Sequence, residues 1–250
     1  MRWNRKRIWR ALRIIGVLFS PKTLALQRKP VQWPDLGIYY INLDDAVERN
    51  RHMEEHLKRL GLSYIRFPAV RPDPARLHRS FAPYADLELV EWLHSPRKAK
   101  ERIGVVGLYL SHRMVMDSIP RRDGFTLLLE DDVLFRGKAF FHRIQRLLHR
   151  DDGFPDFDIM LFDCVGFYKK EDRVARGLYR PAAGDPHYMG THAVLIRNAG
   201  LDRIRQCLDS KPIENIDNLY LDPSTGLNTL VYQSLLCTTA PVAMNSSIRS

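Results

Sequence analysis

From Gly37 to Val70 the chain reads GIYYINLDDAVERNRHMEEHLKRLGLSYIRFPAV, and the rest of the molecule can be placed around this segment. Gly37–Leu43 is β-branched and aromatic between turn formers, the composition of a strand. Asp44 or Asp45 is positioned to cap a helix that runs to Leu60 and stops at Gly61, with Met53, Leu57 and Leu60 as its apolar stripe. Ser63–Val70 is a second strand. Strand, helix and strand in 34 residues make a βαβ unit, so an α/β sheet begins here. Downstream, Gly104–Ile119 reads as a helix, Phe125–Val133 as a strand and Lys138–Arg150 as a helix. Asp158–Asp163 and His192–Arg197 read as strands and Asn198–Leu208 as a helix. Residues 71–103, with four prolines and many charges, are irregular, and so long a segment inside a compact domain is a candidate functional loop.

Upstream, Pro21–Pro34 reads as a linker. The expected organisation is a basic amphipathic segment with its linker over 1–34 and one domain over 35–250. The net charge of +10 is concentrated at the N-terminus: residues 1–30 hold nine basic side chains and no acid, and the remaining 220 carry 30 basic against 29 acidic ones. That distribution does not support a basic body for nucleic acid. Within residues 1–20 the longest uncharged apolar run, Ile14–Phe19, is too short to span a bilayer, which needs roughly 20 apolar residues. At about 100° per residue, Ile8, Leu12, Ile15 and Phe19 share one helical face opposite Arg2, Lys6, Arg10 and Arg13. Such a helix is expected to lie on an anionic membrane surface, placing the protein at the inner, cytoplasmic face. Cys164, Cys207 and Cys237 form no C-x-x-C pair and point to a reducing compartment.

The chemistry begins at Leu127-Leu128-Leu129, a continuous apolar run of the kind buried on both sheet faces, which ends in Glu130-Asp131-Asp132. Three adjacent carboxylates cannot all be buried unpaired. In an open α/β sheet the crevice beyond the strand C-termini is the ordinary ligand site. Period-two geometry puts Glu130 and Asp132 on one face and Asp131 on the other. Hard oxygens grouped this way suit Mg²⁺ or Mn²⁺ sharing its coordination with a diphosphate; the competing reading is a solvated acidic turn paired with arginines. His52-Met53-Glu54-Glu55-His56 also matches a zinc-protease pattern, but it flanks the apolar stripe of an ordinary helix. Phosphate-binding P-loop, dinucleotide-binding and nucleophile-elbow motifs are absent.

Several segments in order resemble glycosyltransferase family 25, which includes bacterial lipooligosaccharide galactosyltransferases and procollagen galactosyltransferases. They are Tyr39–Leu43 with Asp44, Asp45 and Arg49; Phe67–Val70; Gly104–His112; Leu129–Val133; Gly190–Ile196; and Ile216–Tyr220. Val105, Leu108, Val194 and Asn218 stand where the family pattern has Glu, Cys, Tyr and Trp. The resemblance implies a GT-A-like, Rossmann-type mixed sheet flanked by helices. It also implies inverting transfer of a hexose, often galactose, from a UDP-sugar with Mn²⁺ (or Mg²⁺) to a glycan or glycolipid acceptor. On that reading Asp132 holds the metal, with Glu130 or Asp131 assisting and His192 or His187 as a further ligand. Asp217 is the first candidate for general base and Asp163 the second. Asn42, Arg49, Ser111, His112 and Asp131 are candidate donor contacts. Two rival readings are a transferase-like module that binds nucleotide or partner without turnover, and a metal-dependent phosphodiesterase using the same carboxylates.

Overall fold

The computed structural model describes residues 14–18, 20–72, 99–149, 154–166, 168–181, 188–211, 213 and 215–239. The N-terminal amphipathic stretch before Ile14, most of the 71–103 loop, and His187 lie outside these residues. Residues 14–18 are helical, and α1 (Pro21–Gln27) follows, capped by the Ser20 hydroxyl accepting from the Thr23 N–H at 3.2 Å. Among the described residues no helix is long and apolar enough to cross a membrane.

The βαβ unit forms as β1 (Leu36–Asn42), α2 (Val47–Leu60) and β2 (Ile65–Pro68). Gly61 ends α2 in a left-handed conformation, φ 71°, with its N–H closing on the last carbonyls. The expected aspartate cap is not made: α2 begins after Ala46, and Asp44 and Asp45 instead pair with Arg66 at 2.6 Å and Arg71 at 2.9 Å. The next helix, α3 (Ala99–Ser118), starts earlier than Gly104, where the sequence reading began it. Gly107 sits inside α3 because a Cβ there would come within 2.6 Å of the Val70 carbonyl, so the glycine serves close packing, not a helix boundary.

β3 (Phe125–Glu130) ends three residues short of the expected strand. Asp131 and Asp132 form a turn, and the chain restarts as β4 (Val133–Phe135). Then come α4 (Ala139–Leu148), β5 (Ile159–Phe162), β6 (Val165–Gly166), the hairpin β7 (Arg173–Ala175) and β8 (Leu178–Tyr179), and β9 (Tyr188–Met189). The chain continues through β10 (Ala193–Arg197), α5 (Leu201–Ser210), α6 (Ile216–Leu221), β11 (Thr229–Tyr232) and β12 (Cys237–Thr239). The main sheet runs β2-β1-β3-β10-β5-β11-β8-β7. β1, β2 and β3 are parallel, while β10 is antiparallel to both β3 and β5, so the sheet is mixed. β4 and β12 form a separate ribbon.

Alternation along the central strands divides the core into two layers. Tyr39, Ile41, Leu128, Leu161 and Val194 face α3, α5 and α6. Tyr40, Leu127, Leu129, Met160 and Leu195 face α1, α2, α4 and the ribbon. Both faces are covered, which is why Leu127–Leu129 reads as one unbroken apolar run. The three cysteines are buried free thiols.

Candidate functional site

The site lies where β1 and β3 end side by side, with Ile41 paired to Glu130. Because β3 stops at Glu130, the three carboxylates do not follow the strand alternation the sequence suggested; each has its own surroundings. Asp131 is 7% exposed and firmly engaged: the Asn42 amide donates to it at 2.8 Å, and the Arg49 guanidinium, one turn into α2, forms an ion pair with it. Burial pushes its proton affinity up, and Arg49 and Asn42 oppose that shift. Asp132 lies 3.8 Å from Arg49 through one oxygen, while its other oxygen, Oδ1, is buried with no hydrogen-bond partner. Glu130 accepts from the Thr191 hydroxyl at 2.8 Å. Its carboxyl is pushed up to about 7, first by burial and then by Asp132, with Asp131 and Asp217 adding to the repulsion and Thr191 working against it.

Glu130 and Asp131 floor one end of a crevice of about 260 Å³ between the ends of β1 and β3, the exit of β2 and the first half of α3. Its walls combine apolar Ile41, Val70, Ile103 and Leu108 with the cations Arg49 and Arg71. The Val70 N–H donates to the Ser111 hydroxyl at 2.8 Å, and that hydroxyl donates to the Gly107 carbonyl at 2.6 Å. Ser111 thus lines the crevice but uses its hydroxyl to pin the β2 exit onto α3. Asn42 is 1% exposed and acts in the same way: besides Asp131 it reaches the Ala46 carbonyl and accepts from Arg66 at 3.1 Å. It organises the turn instead of presenting itself to a ligand. Arg49 pairs across to the acidic turn.

Other candidates are more dispersed. His112 is fully buried against Tyr220, with ring nitrogen and hydroxyl 3.0 Å apart, and burial lowers its pKa to about 3. That neutral ring under the sheet is a packing group, so its assignment as a donor contact is corrected. Asp163, at the end of β5, is 3% exposed and accepts from the Leu235 and Cys237 N–H groups at 2.8 and 3.0 Å and from the Ser234 hydroxyl. Its oxygens hold the turn that leads into β12, a structural use that removes it from the proton-transfer candidates. Asp217, in the first turn of α6, is half-buried and accepts from the Gly190 N–H at 3.1 Å. His192 is 5% exposed beside Glu130, whose N–H donates to the His192 carbonyl at 3.0 Å.

The segment joining Asp217 to the carboxylate turn is Gly190-Thr191. Gly190 has φ +108°, a conformation glycine adopts without strain, and presents its N–H to Asp217, while the next residue holds Glu130. The resemblance quoted these two residues as part of a strand but gave neither a role. The His52/His56 pair of the zinc-like pattern has stacked rings 6.1 Å apart, and His56 Nε2 accepts from the Phe135 N–H at 2.9 Å. It therefore ties α2 to the β4–β12 ribbon.

Among the described residues, no group of three or more His, Cys, Asp and Glu side chains is arranged to hold a metal ion. Glu130 and Asp132 nevertheless fit a hard divalent ion. One offers a buried oxygen without a partner, the other is pushed toward protonation by burial and then by its acidic neighbours, and a cation would relieve both. Two carboxylates are the usual protein share for Mg²⁺ or Mn²⁺, with substrate phosphates and water completing the shell.

The family model for "Glycosyltransferase family 25 (LPS biosynthesis protein)" matches residues 35–166, which hold β1, β3, Arg49 and all three turn carboxylates. No curated protein matches the chain. Among solved structures it is similar to a glycosyltransferase involved in the glycosylation of the major capsid of PBCV-1, at 12% identity over 80% of this chain and 83% of that one, TM-score 0.40. It is also similar to a nucleoside-diphosphate-sugar pyrophosphorylase from Vibrio cholerae RC9, at 14% identity over 87% and 82%, TM-score 0.36. The family match covers more than half of the chain and takes in the crevice floor; the protein belongs to glycosyltransferase family 25.

Proposed function

We propose that this family 25 glycosyltransferase moves a hexose, galactose in the first instance, with inversion from a UDP-sugar to a glycan or lipid-linked saccharide such as lipooligosaccharide. One observation carries the reading: at the turn where β3 ends, Asp131 is neutralised by Arg49, whereas Glu130 and Asp132 keep carboxylate capacity for a cation. Mn²⁺ or Mg²⁺ held by Glu130 and Asp132, with His192 alongside, would act as a Lewis acid on the donor diphosphate. The apolar wall of Ile41, Val70 and Leu108 suits a flat base, and Arg49 and Arg71 suit phosphate oxygens.

In the transfer, the acceptor hydroxyl oxygen bonds to the anomeric carbon as the bond from that carbon to the phosphate oxygen breaks, and the electron pair leaves with UDP. The hydroxyl proton passes to a carboxylate, for which Asp217 is the candidate: it is half-buried, near enough to Glu130 to perturb it, and oriented by the Gly190 N–H. A basic N-terminal segment over residues 1–20 suits an acceptor presented on an anionic bilayer at its inner face.

The test is UDP release from a panel of UDP-sugars without acceptor, with Mn²⁺ or with EDTA. Metal-dependent release from one sugar is the expected result. No release and no metal-dependent UDP binding would contradict the reading and favour a binding module without turnover.

A further inference from the structure

Two stretches remote in sequence contain no acidic residue: 14–34 and 133–149. The fold places them side by side. α1 packs on α4, the Gln27 amide donates to the Arg136 carbonyl at 2.9 Å, Arg143 donates to the Thr23 hydroxyl at 2.5 Å, and Gln145 donates to the Gln32 carbonyl at 2.9 Å. The result is one face on which Lys22, Arg28, Lys29, Arg136 and Arg146 are all exposed. Among the described residues none of these five takes part in an ion pair. The opposite helical layer differs: Arg121, Arg203 and Arg205 are each paired with an aspartate there. Two large apolar side chains of the same acid-free N-terminal stretch are also exposed, Ile15 at 51% and Leu24 at 46%. Unpaired cations around protruding aliphatic groups are what an anionic lipid surface accepts, whereas a nucleic-acid backbone offers nothing to Ile15 and Leu24.

We propose that the α1–α4 face docks on an anionic lipid bilayer, with Ile15 and Leu24 entering the headgroup layer and the five cations facing lipid phosphates. The docking surface is then part of the folded body, not only of the basic segment before Ile14. The proposal does not depend on the transferase reading.

The test is co-sedimentation of the full chain with vesicles of phosphatidylcholine alone or of phosphatidylcholine and phosphatidylglycerol in equal parts. Arg28→Gln/Lys29→Gln/Arg136→Gln is compared with Arg121→Gln/Arg122→Gln/Lys211→Gln, which removes as much charge away from the face. Wild type is expected to bind the anionic vesicles alone. The face variant is expected to lose affinity on the order of a hundredfold, at roughly fivefold per cation, and the control to lose little. Leu24→Asp, at an exposed position, is expected to weaken binding on the order of tenfold. Equal losses in the two triple variants, no loss in the face variant, or binding to duplex DNA but not to anionic vesicles would each overturn the proposal.

Discussion

Two acidic strand ends lie two places apart in the sheet and have opposite fates. At the end of β5, Asp163 is buried and accepts two N–H groups and a hydroxyl from residues 234–237. At the end of β3, Asp131 is similarly engaged, yet its neighbours Glu130 and Asp132 are left repelling each other. A carboxylate whose lone pairs are filled by the chain holds structure. One that is desolvated and crowded by like charge is held ready for a cation or a proton. The distinction rests on hydrogen-bond partners, not on burial, since Asp163 is the more buried.

Substitutions sharpen this contrast in decreasing order of effect. Asp132→Ala is expected to lower UDP release on the order of a thousandfold or more, with the unfolding midpoint nearly unchanged. Asp217→Asn is expected to lower transfer to an acceptor by roughly a hundredfold to a thousandfold, the range of a lost general base. Asp163→Ala should do the reverse of Asp132→Ala: denaturant titration should show a loss of about 3 kcal/mol, while turnover per folded molecule changes little. A large catalytic loss in a fully folded Asp163→Ala protein would break the comparison.

Acid should reveal a further structural group. Burial, with Arg59 and His52 adding to it, lowers His56 from 6.5 to about 4. The unfolded chain therefore binds this proton more readily, and the stability His56 contributes is complete above pH 6.5 and is lost as pH falls through about 4. The expected loss is on the order of 2 kcal/mol, measured as unfolding free energy against pH and flattened in His56→Gln. The smallest effect is at Thr191, whose hydroxyl holds down the raised Glu130 pKa. Thr191→Val should move the acid limb of activity upward by about one pH unit or less, because Glu130 must lose its proton to bind a cation. A downward shift would count against that role.

The βαβ opening was legible because its apolar periods and Gly61 are local signals, and the Leu127–Leu129 run marked a strand covered on both faces. The helix start at Gly104 misled because a glycine reads, in sequence, as a boundary, yet the helix runs through it from Ala99, as it does through Gly107, where close contact with Val70 leaves no room for a side chain. The β7–β8 hairpin and β11 went unread: the hairpin strands are only three and two residues long, and the partners of β11, β5 and β8, are far along the chain. At the site, the acidic triplet could be singled out from residue type, and Arg49 from the family resemblance. The division of labour among the carboxylates could not, because Asn42 and Thr191 approach from 89 and 61 residues away. Asp163 and His112 were overvalued for the same reason: their partners, Ser234 and Tyr220, are set by the fold.

The most direct measurement is Mn²⁺ binding to the UDP-loaded protein by electron paramagnetic resonance, comparing Asp131→Asn with Asp132→Asn. If Arg49 engages the middle carboxylate and leaves its neighbour to the cation, Asp132→Asn abolishes the bound-metal signal and Asp131→Asn weakens it by no more than about tenfold. Metal binding that survives Asp132→Asn and vanishes in Asp131→Asn would contradict the assignment of the site.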